Sequence, residues 1–125
     1  MKRMRRVEVL QWLGLFVAPL AWFGQHLIGQ AVSQASCDRV NAAWSISNDA
    51  WQIVLLVVAC SLILLSEAAA VTAFLGTRDG SYEEPPPLGR MQLIAIAAMT
   101  TNVLYLAIVL LDGIASIVNV GCAQG

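Results

Sequence analysis

An all-α integral membrane protein, a bundle of three helices, is predicted by three observations. Three long apolar stretches fill the chain, little polar sequence separates them, and the basic residues gather at one end of the spans. Hydrophobic residues make up 58% of the 125 positions and charged residues only 12%. The stretches Val7 to Val32, Trp51 to Gly76 and Met91 to Val120 each exceed the ~20 helical residues that cross a ~30 Å hydrocarbon core. The chain therefore reads as one transmembrane domain, residues 1–125, with spans at about 7–33, 50–76 and 90–119. The connections at 34–49 and 77–89 are too short to fold as soluble domains.

The net charge of −1 matters less than where the basic residues lie. Lys2, Arg3, Arg5 and Arg6 precede the first span, Arg78 and Arg90 border the second connection, and Arg39 alone lies in the first. The positive-inside rule then puts the N-terminus and the 77–89 loop in the cytoplasm, the 34–49 loop outside, and the C-terminus on the extracytoplasmic face of a bacterial cytoplasmic membrane. A basic start, an apolar run and Ser33-Gln34-Ala35 also have the form of a cleaved signal. A signal core is roughly 7–15 residues, however, and this run has the length of a full span, so a retained helix is expected.

In helix one, Pro19 lacks an amide hydrogen and leaves a carbonyl near Leu15 without its helical partner, which predicts a modest kink. Helix two opens at Ser47-Asn48-Asp49, where Ser47 or Asn48 caps free amides and Asp49 suits the positive helix end. Trp44 and Trp51 then read as interface aromatics, with indoles at headgroup depth. Gly76 followed by Thr77-Arg78-Asp79-Gly80 is expected to stop helix two, and Glu83-Glu84-Pro85-Pro86-Pro87 to form a stiff polyproline link. Lipid tails solvate leucine as well as a neighbouring helix does, so small residues should mark the helix seams. Ser66, Ala69, Ala73 and Gly76 form such a stripe on helix two, and Ala95, Ala98 and Asn102 on helix three.

Cys37 follows helix one and Cys122 follows helix three, both on the outer, oxidising side. A disulfide between them would close a long loop, for which the chain-entropy model gives roughly 4–5 kcal/mol. Cys60, inside helix two, reads as a small buried hydrophobe. Three ionisable residues lie within the spans, where burial is costly without a partner. Counting from the span centres, His26 and Asp112 fall at similar depth toward the outside and can meet. Gln25, Gln30 and Asn119 would extend an intramembrane polar cluster that serves as a proton relay, a quinone site or interhelical glue, with glue favoured. Glu67, nearer the cytoplasmic side, is expected to be neutral and bonded to Thr100, Thr101 or Asn102. A lone intramembrane glutamate is also what a small proton-coupled multidrug transporter uses, but such transporters have four helices and carry it in the first.

No phosphate loop, zinc signature or nucleophile triad is present, so no enzyme, cofactor, metal or nucleic-acid partner is expected. Pro19-Leu20-Ala21-Trp22, the cysteine just past helix one, Leu88-Gly89-Arg90-Met91-Gln92-Leu93 opening helix three, and Gly121-Cys122 together resemble small three-helix bacterial membrane proteins that accompany aa3- or caa3-type cytochrome c oxidases. That resemblance covers most of the chain and brings no catalytic residues with it. It implies a non-catalytic accessory subunit of the oxidase, or of its supercomplex with a cytochrome bc complex, lying among larger membrane subunits and lipids.

Overall fold

A computed structural model describes residues 2–37, 47–79 and 88–118, which form three helices: α1 (Lys2–Cys37), α2 (Asn48–Thr77) and α3 (Leu88–Val118). Among the described residues there is no strand. Candidate spans of 34, 30 and 31 residues, all apolar enough to cross a membrane, occupy these helices. Thirty residues rise about 45 Å, more than the apolar core requires. Helices suit lipid because they satisfy their backbone polar groups internally. Each helix packs on both of the others.

Large side chains face outward and small ones inward. Leu20, Leu65 and Leu111 are 66%, 66% and 71% exposed, whereas Ala18, Ala70, Ala95 and Ala98 are at 0%. That division follows from the lipid environment, in which leucine gains nothing by leaving the acyl chains and small residues gain close helix contact. Ala18, Ala21, Ala59, Ile63 and Val109 form the central cluster, with Trp22, Leu56, Cys60, Tyr105 and Leu106 packed around it. Cys60 is a half-buried free thiol beside this cluster.

The buried residues follow one rhythm. On α1 they are Gln11, Gly14, Ala18, Ala21, Gln25, Gly29 and Val32, and on α2 they are Gln52, Ala59, Ile63, Ser66, Ala70, Ala73 and Thr77. Steps of three and four, with one double step from Gln52 to Ala59, give a period of about 3.5, that of left-handed helix packing. The small-residue stripe expected on α2 has this period but the wrong phase. Ser66 and Ala73 are buried as expected, but Ala70 and Thr77 take the places of Ala69, which is half-buried, and Gly76, which is exposed. Ala95, Ala98 and Asn102 on α3 are all buried.

Ser47 caps α2, its side chain accepting from the Ala50 amide at 3.3 Å, and Asp49 lies in the first turn. At its other end α2 stops at Thr77 with Arg78 as its C-cap, inside the expected Gly76–Gly80 run. There the Thr77 hydroxyl reaches the carbonyls of Ala73 at 3.0 Å and Phe74 at 3.1 Å, satisfying a terminal acceptor without a left-handed glycine. α1 runs through Pro19 as one helix.

Candidate functional site

A backbone-to-backbone meeting of α1 and α2, joined by a side chain of α3, centres on Gly14. A methyl group added there would lie 2.9 Å from Ala70 Cβ and 3.0 Å from both Ala70 Cα and its amide nitrogen. The contact is with backbone, which cannot yield, so only glycine fits. The close approach exposes the Gly14 carbonyl to both neighbours. Ser66 Oγ donates to it from α2 at 3.0 Å, and Asn102 Nδ2 donates from α3 at 3.0 Å. Ser66 also lies 3.3 Å from the Leu13 carbonyl and 3.5 Å from Asn102 Oδ1. A hydroxyl has one hydrogen, and the shortest of the three contacts is the one to Gly14. Ser66 is 2% exposed and Asn102 1%, so this is a dry three-helix junction.

A second bond set joins α1 and α2 nearer the C-terminal end of α1. Gln52 is 2% exposed, and its amide nitrogen donates to the Gly29 carbonyl and to Ser33 Oγ, both at 3.1 Å. Those two bonds use both amide hydrogens. Gly29 makes room for the glutamine head, whose Oε1 would lie 3.1 Å from a methyl group placed there.

His26 and Asp112 meet at this end as well. Nδ1 lies 3.3 Å from Asp112 Oδ2, with the side chains 43% and 31% exposed. With the proton on Nδ1, the imidazole donates to the carboxylate. Trp22 stacks on His26 with ring centroids 6.1 Å apart and tilts against Tyr105 at 6.0 Å. Gln30 does not join this pair. It is exposed, because Gly29, turned by about 100° from it, takes the inward position. Gln25 is the glutamine that turns inward, buried at 6% with its Oε1 unpartnered. Gly113 sits against it: a methyl group there would fall 3.2 Å from Gln25 Nε2 and 2.6 Å from Leu56 Cδ1.

Glu67 is half-buried, and its Oε2 is enclosed without a partner. None of the three expected donors serves it. Thr100 bonds back to the Ile96 carbonyl, Thr101 bonds back to Ala97, and Asn102 is engaged at Gly14. Threonine in a helix finds an acceptor one turn back more easily than one on a neighbouring helix. Trp51 is half-buried with its indole nitrogen enclosed and unpartnered. Trp44, Asn119 and Cys122 lie outside the described residues. Cys37, at the end of α1, is a bonded cysteine rather than a free thiol.

Three buried glutamines, Gln11, Gln52 and Gln92 at 3%, 2% and 5% exposure, escaped the sequence reading. The signal that finds them is their position, since each falls in the 3–4 rhythm of small residues that marks an inward face. Among the described residues no three His, Cys, Asp or Glu side chains gather as a metal site. Compared with known families, curated proteins and solved structures, the chain matches none.

Proposed function

We propose that this chain is a non-catalytic accessory subunit of a larger bacterial respiratory membrane complex, a cytochrome c oxidase or its supercomplex with a cytochrome bc complex. It is seated in the cytoplasmic membrane with its N-terminus inside and its C-terminus outside. The observation that carries the structural part of this reading is the Gly14 junction, where intramembrane polar groups are used to tie helices together. Ser66, Asn102 and Gln52 all donate to atoms of α1, and groups engaged this way are not available to a substrate. The oxidase itself comes from the sequence resemblance, and the orientation from the distribution of basic residues. A Cys37–Cys122 disulfide belongs to the same proposal. It is supported by Cys60 being the free thiol among the described residues and Cys37 being bonded.

Extraction in mild detergent followed by mass spectrometry of the intact assembly tests this reading. Co-purification with haem-bearing subunits is expected, and isolation of the chain as a homo-oligomer would overturn it. Thiol labelling of the unreduced protein should tag Cys60 alone, with Cys37 and Cys122 labelled only after reduction.

Glu67 favours a second reading. Its unpartnered carboxylate oxygen within a span is what a small proton-coupled transporter would need. Glu67→Gln separates the two: loss of proton-coupled cation export supports the transporter, and unchanged yield of the respiratory complex supports the subunit.

A further inference from the structure

The end of the bundle at which α1 begins holds a pocket lined by both polar and apolar side chains. Met4, Glu8, Gln11 and Trp12, at helical steps of three and four, form one face of α1, and Arg90 and Met91 from the first turn of α3 stand opposite. Between them is a cavity of about 110 Å³, the scale of a few water molecules. Gln11 lines it while only 3% exposed, and its Oε1 has no donor. Glu8 and Arg90 share the cavity but make no ion pair with each other.

These groups ask for complementary chemistry at two points. Gln11 Oε1 and the Glu8 carboxylate are acceptors and call for a hydrogen-bearing cation. Arg90 is a fork of donors suited to phosphate, and the first-turn amides of α3, beginning at Leu88, have no acceptor within their own helix. Glu8 and Arg90 are exposed at the mouth and Gln11 is buried within. Trp12 and Met4, 45% and 49% exposed, give the rim an apolar border of the kind found at headgroup depth.

We propose that Glu8, Gln11 and Arg90 form a headgroup site for a zwitterionic phospholipid carrying a primary ammonium, with the ammonium on Gln11 and Glu8 and the phosphate on Arg90. A choline headgroup has no N–H to give Gln11. A glycerol headgroup can offer Gln11 a hydroxyl, but it brings no cation to offset its phosphate and so sets an uncompensated negative charge beside the Glu8 carboxylate. Anionic lipid has a better place in the shallow groove of Lys2, Arg5 and Arg6 beside Val9 and Leu10. The site stands on the α1–α3 contact and does not depend on which complex the chain joins.

The test is native mass spectrometry of the full chain in micelles holding equal amounts of phosphatidylethanolamine, phosphatidylcholine and phosphatidylglycerol with identical acyl chains. The ethanolamine lipid should be retained roughly tenfold over the other two, the ratio expected for about one added charge-assisted hydrogen bond. Glu8→Gln and Gln11→Met should bring it level with phosphatidylcholine, and Arg90→Gln should weaken all three lipids. Glu8 and Arg90 are exposed, so their variants report on the site without threatening the fold. Equal retention of the ethanolamine and choline lipids by the native chain would overturn the assignment, as would a preference that survives both Glu8→Gln and Gln11→Met. Dominance of phosphatidylglycerol would give lipid binding to the basic groove instead. Soluble phosphoethanolamine bound as abundantly as the lipid would make the ligand a free phosphate ester and sink the lipid reading.

Discussion

The Gly14 junction and the His26–Asp112 pair are both polar contacts between α1 and its neighbours inside the spans, yet they are built differently. At Gly14 the acceptor is a backbone carbonyl, fixed by the helix, and its donors Ser66 and Asn102 are 2% and 1% exposed. Two side chains make the His26–Asp112 contact, at 3.3 Å and with 43% and 31% exposure. A bond to a fixed, dry carbonyl loses little entropy and faces no competing water. A contact between two half-exposed side chains must order both and competes with water or headgroups. The lesson is that charge does not mark the strongest polar contact in this bundle; absence of a Cβ does.

The largest effect should come from closing the gap that glycine leaves. Gly14→Leu pushes α1 off the Ala70 backbone and should cost about 3 kcal/mol or more, measured by unfolding in mixed detergent and dodecyl sulfate micelles. Asn102→Leu removes one donor from the same carbonyl and should cost about 1–2 kcal/mol in that assay. Gln52→Leu, which loses the bonds to Gly29 and Ser33, should cost about 1 kcal/mol. At the small end, a double-mutant cycle with His26→Gln and Asp112→Asn should give a coupling of no more than about 0.5 kcal/mol. A coupling larger than the loss in Asn102→Leu would reverse the ranking of the two regions.

How much of this could be read beforehand depends on what each feature required. Length and apolarity alone point to three spans, because about 20 apolar residues are what a helix needs to cross the bilayer. Depth counted along the spans brought His26 and Asp112 to one level, and they lie in contact. Helix phase was harder. Ser66-Ala69-Ala73-Gly76 and Ser66-Ala70-Ala73-Thr77 have the same period and nearly the same composition. Only the need of α2 to face two partners at once selects the second. The same difficulty set Gln30, which is exposed, beside Gln25, which is buried, and left Gly14 undistinguished from Gly24. α1 carries glycines at both positions, and the sequence alone does not say which one meets a backbone. Matching depth makes Thr100 and Thr101 look like partners of Glu67, but a threonine hydroxyl can reach its own helix without any partner.

That pair of glycines shows whether α1 and α2 meet backbone to backbone at Gly14. Added methyl groups should act oppositely, since one at Gly14 strikes Ala70 at 2.9 Å and one at Gly24 meets nothing within 4 Å. Unfolding of Gly14→Ala and Gly24→Ala in the same micelles should show a loss of about 1–3 kcal/mol for the first, and for the second no loss or a gain of up to about 1 kcal/mol. Equal effects at the two positions, or a greater loss at Gly24, would contradict the account.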